Sequence, residues 1–487
     1  MTLNQHGPYS VLFCRSIRAW GATGPPVLKP TPTQQRGDAQ NCASELGRGA
    51  DRRSDLRLWT RDAYYFLHAR RLEWRLSPEG SQPMFIAYLS RFSPSMDRPS
   101  THGSSTRWLA CMVISVLCAG LHAGYSQGQG IPTVDLDQES DWQVVVDREP
   151  GQYLGHPTTV LLEDGQTILC VYPKGHGRGA IQYKRSNDGG KTWSERLPTP
   201  KNWETSLETP TIHRTIDAQG TKRLILFSGL YPVRVAISED DGAQWSELKA
   251  VGDWGGIVAM GSVVPILSKP GSYWAFFHDD GRYFSAKPSM EKGRFTLYAT
   301  RSDDGGQTWK TPKTLQTSSD VHLCEPGAVF SPDNREIALL LRENRRVRNS
   351  HIMFSRNEGE SWTEPVPLPD ALTGDRHVAK YLPDGRLFIS FRDVPRKDNR
   401  SETQGDWVAW VGTYDDLQQG LPGQYRIRLK KNYRGFDCAY PGVEILPDGT
   451  IVTTTYGHWA EGESPYILCV RFKIEDCDAR YTKIQSR

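Results

Sequence analysis

A turn written four times along this chain restricts its fold more than any other feature. It reads SNDGGKTW (Ser186 to Trp193), SEDDGAQW (Ser238 to Trp245), SDDGGQTW (Ser302 to Trp309) and SRNEGESW (Ser355 to Trp362), with opening serines 52, 64 and 53 residues apart. Upstream runs a weaker recurrence: a polar residue, often followed by Pro, then a short apolar run, a turn often written Asp-Gly, and a second apolar run. Six copies open at His156, Glu208, Met260, Glu325, Arg376 and Tyr440, at intervals of 52, 52, 65, 51 and 64. Their short runs of Val, Ile, Leu, Phe and Tyr, broken by turn residues, read as β-hairpins. Repeats of roughly 50–65 residues that each end in a turn and an aromatic mark a stacked array. The expected fold is all-β, a six-bladed β-propeller with a further strand pair in each blade, an architecture that leaves only short protected edges. A solenoid is the competing arrangement. The segment DWQVVVD, ahead of the first copy, is expected to pair with the C-terminal strands and close the ring.

The repeat does not reach the N-terminal part. Residues 1–95 hold 13 Lys and Arg against 7 Asp and Glu, a surplus of six, so the remainder of a chain with net charge +3 carries −3. A near-neutral to acidic body lacks the basic stripe that a nucleic-acid partner requires. Met96 is followed by DRPSTHGSSTR and the apolar run WLACMVISVLCAGLHA ending at Ala123, a basic lead, a short apolar core and small residues. That order describes a secretory signal peptide, too short for a comfortable membrane span. The expected organisation is therefore an over-extended reading frame at 1–95, a signal peptide at 96–123, a linker at 124–139 and the propeller at 140–487. The product is expected to be exported, with no membrane span in its mature form. Its cysteines would be Cys170, Cys324, Cys438, Cys469 and Cys477, whose spacing is not of metal-binding type.

In a propeller the first strand of each blade lines the central channel, so equivalent positions in six blades converge on one mouth. Strand starts bring His156, Glu208, Met260, Glu325, Arg376 or His377, and Tyr440. Strand ends bring His176, His278 with Asp279, Arg342, Arg392 and His458. This ring is polar and ionisable. The repeated turn belongs to outer strands instead: its Ser and Asp hydrogen-bond their own backbone, its glycines supply positive φ, and its Trp packs between blades. A calcium loop would need oxygen ligands at wider spacing and a terminal bidentate Glu.

The turns resemble the Asp box of sialidases and related propellers, over roughly residues 140–475. CEPGAVFSPDNREIALLLREN resembles the sialidase pairing of a channel-strand glutamate with an arginine at the end of the next strand, through Glu325 and Arg342. AYPGVEILPDGTIVTTTY resembles the stretch that carries the family's nucleophilic tyrosine, through Tyr440. FISFRDVPRKDNR offers Arg392, Arg396 and Arg400 for a further family arginine, of which Arg392 and Arg396 are favoured. The resemblance implies Tyr440 as nucleophile, Glu325 as its base, and Arg342, Arg392, Arg396 and Arg376 as candidates to hold a substrate carboxylate. A sialic acid carries a carboxylate on its anomeric carbon, which repels an anionic nucleophile, whereas tyrosine starts neutral. Arginines hold a carboxylate through charge-assisted, bidentate bonds.

Blade 1 departs from the family. An Arg-Ile-Pro motif is replaced by LGHP, with Gly155 at the arginine position and His156 beside it. The acid/base aspartate is replaced by PKGHGRG, where His176 is the titratable substitute and Lys174 and Arg178 are nearby cations. Arg178, Arg214 or Arg234 would have to compensate for the lost arginine. Histidine is a competent acid/base near neutral pH. Three readings follow: a sialidase-like exo-hydrolase on a terminal acidic sugar; a His156- or His176-dependent lyase or hydrolase on uronic-acid polysaccharide; and a glycan-binding propeller without turnover. Glu208, His278, Asp279 and His458 complete the expected channel lining. The sequence offers no phosphate-binding glycine loop and no metal-ligand spacing, so no cofactor is expected.

Overall fold

The structure, a computed structural model, describes residues 130–287 and 293–486. The segments expected as reading-frame extension and signal peptide lie outside the described residues. Among the described residues no helix is long and apolar enough to cross a membrane.

Among the described residues six sheets follow one another along the chain, antiparallel except for one parallel edge pairing. Blade 1 holds Thr158–Leu161, Ile168–Pro173 and Ile181–Ser186. Blade 2 opens on Pro210–Ile216, blade 3 on Ile257–Pro265, blade 4 on Leu323–Phe330, blade 5 on Gly374–Tyr381 and blade 6 on Gly442–Ile445. These opening strands touch one another in sequence around the ring, and the last touches the first. Gln143–Asp147 pairs antiparallel with Tyr466–Phe472 in blade 6 and closes the propeller as expected. Residues expected to be linker include a strand, Thr133–Asp135, which runs parallel to Tyr425–Lys430 at the outer edge of blade 5. Three residues without a turn of their own give no periodic signal.

The apolar runs that define the hairpins are buried between blades, in six clusters, each shared by two neighbours. Val171, Tyr183 and Trp203 meet Leu224, Leu226 and Ala236 between blades 1 and 2, and the pattern repeats around the ring. All five cysteines among the described residues are buried free thiols.

The recurring turn serves structure. Ser302 Oγ donates to Asp304 Oδ1 at 2.8 Å and accepts from Gly306 N at 2.8 Å, while Thr308 N donates to Asp304 Oδ1 at 2.9 Å. Ser186, Ser238 and Ser355 make the same bonds in their copies. Gly306 has φ +88°, and a Cβ there would lie 3.0 Å from Ile225 of the preceding blade. Trp309 packs edge-on against Phe227 at 5.3 Å, also in the preceding blade. Each turn is thus a clasp between neighbouring blades.

Candidate active site

Five of the six inner strands are entered through a left-handed residue, four of them at or beside the expected anchor: His156 (φ 50°), Glu325 (φ 52°), Arg376 (φ 55°) and Ala439 (φ 55°), which precedes Tyr440. Blade 3 is entered through Val258 (φ 47°). Non-glycine residues in this region carry strain of order 1 kcal/mol or more, and such strain concentrates at functional sites. Met260, the expected anchor of blade 3, is instead buried between blades 2 and 3, and Val258 lines the mouth.

The mouth is a cavity of about 360 Å³ lined by His156, His176, Glu208, His278, Glu325, Arg342 and Tyr440, with Arg178, Asp280 and Arg282 at its wall. Seven of the expected residues therefore meet in one place. The Tyr440 hydroxyl donates to Glu325 Oε1 at 2.5 Å, and Arg342 Nη1 donates to the same oxygen at 2.6 Å. Arg342 Nη1 also lies 3.4 Å from the Tyr440 hydroxyl, and its Nη2 donates to Asn344 Oδ1 at 2.6 Å. Burial acts to raise the Glu325 carboxyl, but the Arg342 guanidinium, the Tyr440 hydrogen bond and His278 together hold the group below its ordinary range. Burial and the neighbouring Glu325 charge push the Tyr440 hydroxyl up. The proton thus rests on tyrosine, and the carboxylate beside it is ionised. Glu325 Oε2 is buried without a hydrogen-bond partner.

The histidines divide into two kinds. His156 is buried, stacks on Tyr456 at 4.5 Å and meets Tyr440 edge-on at 4.5 Å. Its Nδ1 accepts from Gly177 N at 3.1 Å and its Nε2 faces the Tyr456 hydroxyl at 3.3 Å, so both nitrogens are engaged. Burial, then the charges of His176 and Arg392, keep it neutral. His176 is exposed at the rim, with Nε2 3.5 Å from Asp437 Oδ1. Asp437 also accepts from Tyr153 at 2.6 Å and Tyr456 at 3.2 Å, and pairs with His458 Nε2 at 3.0 Å. Burial raises the Asp437 carboxyl, yet its hydrogen bonds to His176, Tyr153 and His458 hold it well below the carboxylate range. Glu208 is shifted upward by burial, against opposing hydrogen bonds from Thr209.

Other expected positions lie away from the mouth or already have internal partners. His458 does not line the cavity; it is buried between Asp437 and the Glu463 carbonyl, where it supports Asp437. Asp279 is buried and accepts from the backbone of Gly281 and Tyr283, so its neighbour Asp280 faces the cavity instead. Arg376 is buried without lining the cavity, and has no hydrogen bond or ion pair among the described residues. Arg392 spends its donors on Asp375, the Phe436 carbonyl at 2.6 Å and the Cys438 carbonyl at 3.2 Å. Arg396 binds Asp398 Oδ1 at 2.9 Å and Asn349 Oδ1 at 3.1 Å. Arg392 and Arg396 line a second, neighbouring cavity. Of the possible compensating cations, Arg178 reaches the mouth, whereas Arg214 is paired with Glu163 and Asp241 and Arg234 is bonded to Thr205.

Sequence reasoning missed two carboxylates. Asp437 lies in the irregular segment before Tyr440. Asp375 is fully buried and joins Arg342, Arg346 and Arg392: its oxygens lie 3.3 Å from Arg342 Nε, 2.6 Å from Arg346 Nη1 and 3.0 Å from Arg392 Nε. An acidic residue directly ahead of the Arg376 anchor is the signal that could have pointed to it.

Residues 228–402 match the BNR repeat-like domain. Over 250 residues the chain is 26% identical to a sialidase of Clostridium perfringens, covering 50% of this chain and 56% of that one. The chain is a six-bladed propeller that contains a BNR repeat-like match and is similar to sialidases. It spans between 39% and 56% of the length of the curated sialidases it matches. Among solved structures, this propeller resembles a protein of unknown function from Dyadobacter fermentans, with TM-score 0.54, 16% identity, and coverage of 68% of this chain and 97% of that one. It also resembles the GH93 α-L-arabinofuranosidase of Fusarium graminearum in complex with arabinobiose, with TM-score 0.50, 11% identity, and coverage of 69% and 98%. Those two likenesses concern the fold.

The buried histidines of the propeller make it acid-sensitive. Burial pushes His213 down to about 3, and His278 and His377 each down to about 4, and lowers His156 as well. Each folded pKa lies below the unfolded value of about 6.5, so the unfolded chain takes up protons first as pH falls. Stability is full above pH ~6.5 and is lost toward pH ~4, by up to about 1.4 kcal/mol per pH unit for each histidine. Chemical denaturation midpoints should therefore fall from pH 7 to pH 5; equal midpoints would count against neutral, buried histidines.

Proposed function

We propose that this propeller is a glycoside hydrolase that removes a terminal acidic sugar from a glycan, with Tyr440 as nucleophile and Glu325 as its base. The observation that carries the reading is the 2.5 Å hydrogen bond from the Tyr440 hydroxyl to Glu325 Oε1 on the wall of the cavity. Similarity to the C. perfringens sialidase supports the same class of reaction. Glu325 takes the phenolic proton as Tyr440 Oη bonds to the anomeric carbon, and the bond to the leaving oxygen breaks. His176 gives that oxygen a proton, with Asp437 balancing the imidazolium charge. Water then donates a proton to His176 and attacks the anomeric carbon; the sugar departs, and Tyr440 recovers its proton from Glu325. His156, with both nitrogens engaged, acts as a positioning residue that fixes the Tyr440 ring.

A second reading is favoured by one observation, the occupation of Arg342 and Arg392 by Asp375. A substrate carboxylate would find these arginines already paired and would depend on Arg178 at the rim. Uronic-acid polysaccharide, cleaved by His176 without a covalent tyrosine intermediate, fits that arrangement. His176→Ala should lower turnover by about 10²–10⁴-fold in either case. The substrates separate the readings: release of the sugar from a chromogenic sialoside supports the first, and unsaturated or shortened uronate oligosaccharides support the second. A folded wild-type protein that turns over neither class would defeat both and leave glycan binding.

A further inference from the structure

The second cavity adjoins the first and shares Arg342 with it. It encloses about 510 Å³ and is lined by Arg342, Arg346, Asp375, Arg392, Val394, Pro395, Arg396, Lys397, Asn399, Arg400, Gln404 and Phe436. Six of these side chains are cationic and one, Asp375, is a carboxylate. Asp375 is consumed by Arg342, Arg346 and Arg392. Arg396 is partly offset by Asp398. Lys397 and Arg400 are exposed, and their side chains make no hydrogen bond or ion pair among the described residues. The volume suits a sugar ring, since small-ligand sites run to roughly 300–1,000 Å³. Arg342 lines both cavities, so the two adjoin.

We infer that the second cavity is a subsite for an anionic substituent, a carboxylate or a sulfate ester, on a sugar adjoining the one held at Tyr440. The substrate is accordingly a polyanionic glycan rather than a neutral one with a single acidic cap. Lys397 and Arg400 are the recognising cations: they stand at the rim with free donors, where unpaired charge attracts an anion without first breaking an internal bond. Arg396 supplies a planar donor group beside them. The deeper arginines, tied together through Asp375, give shape and hold Arg342 in place. The inference rests on the reading of the first cavity as a glycan site, and its test is arranged to be independent of turnover.

Binding is measured by calorimetry on full-chain Tyr440→Phe protein, with three probes of matched length: oligogalacturonate, a sulfated oligosaccharide and a neutral oligosaccharide. At least one anionic probe should bind about tenfold or more tightly than the neutral one, with affinity that falls as salt rises. Preference for the uronate assigns a carboxylate, and preference for the sulfated probe assigns a sulfate ester. Adding Lys397→Glu and Arg400→Glu should abolish that preference and flatten its salt dependence, while circular dichroism checks the fold. Equal affinity for anionic and neutral probes, or a preference that survives both charge reversals in folded protein, would overturn the subsite. Because no turnover is needed, such a failure is distinct from inactivity of the wild type, which would strike the catalytic reading instead.

Discussion

Asp375→Asn is expected to destabilise the protein by about 3–5 kcal/mol, the usual cost of removing one partner from a buried ionic group. Asp375 is completely buried, and three arginines, Arg342, Arg346 and Arg392, converge on its two oxygens. Burial alone would keep the carboxyl protonated, but the guanidinium charges hold it far below its ordinary range. Asparagine preserves the volume and loses the charge. Arg342 would then keep Glu325, whereas Arg392 would keep two backbone carbonyls and Arg346 the Glu343 carbonyl. The thermal midpoint should fall by at least about 5 °C. Acetate should partly restore an Asp375→Ala protein by placing a carboxylate back among the arginines. An asparagine variant within about 0.5 kcal/mol of wild type would show that the cluster contributes little.

Under the proposed mechanism Tyr440→Phe should lower kcat/KM by about 10³-fold or more, equivalent to about 4 kcal/mol in the barrier, because the proposed nucleophile is lost. The hydroxyl is a donor to Glu325, and Glu325 retains Arg342 in its absence. The loss of stability should therefore stay near 1–3 kcal/mol. The discriminating measurement is burst kinetics on a chromogenic substrate with wild-type and variant protein. A covalent intermediate on tyrosine gives a burst that phenylalanine removes. Substantial residual turnover in Tyr440→Phe, combined with complete loss in His176→Ala, would shift the chemistry to the histidine.

The fold was legible because hairpins and turns recur at blade spacing, and that spacing survives sequence variation within each blade. The same ruler brought His156, Glu325, Arg342 and Tyr440 to one mouth. It failed where the backbone leaves its register. Pairing in blade 5 shifts between Asp375 and Val378, and in blade 3 between Ile257 and Ser262. A shift of one residue changes which side chain faces the axis. That is why Arg376 and Met260 were expected at the mouth while Asp375 and Val258 went unnoticed. Asp437 belongs to a loop with no period at all. Saturation of donors was equally invisible: Arg392 and Arg396 read as free cations until their internal partners were in place.

The closure of the ring also sets when the site comes into being. Tyr440 belongs to blade 6, and its neighbours His156 and Tyr456 are 300 residues apart along the chain. Gln143–Asp147, just ahead of His156, supplies a strand to that same last blade. Domains are made from the N-terminus onward, so the early strand and histidine must wait for the final blade before they have a counterpart. A chain that stops short of blade 6 lacks both Tyr440 and the strand partner of Gln143–Asp147. Competence thus arrives at a single late moment, when the two ends of the propeller meet.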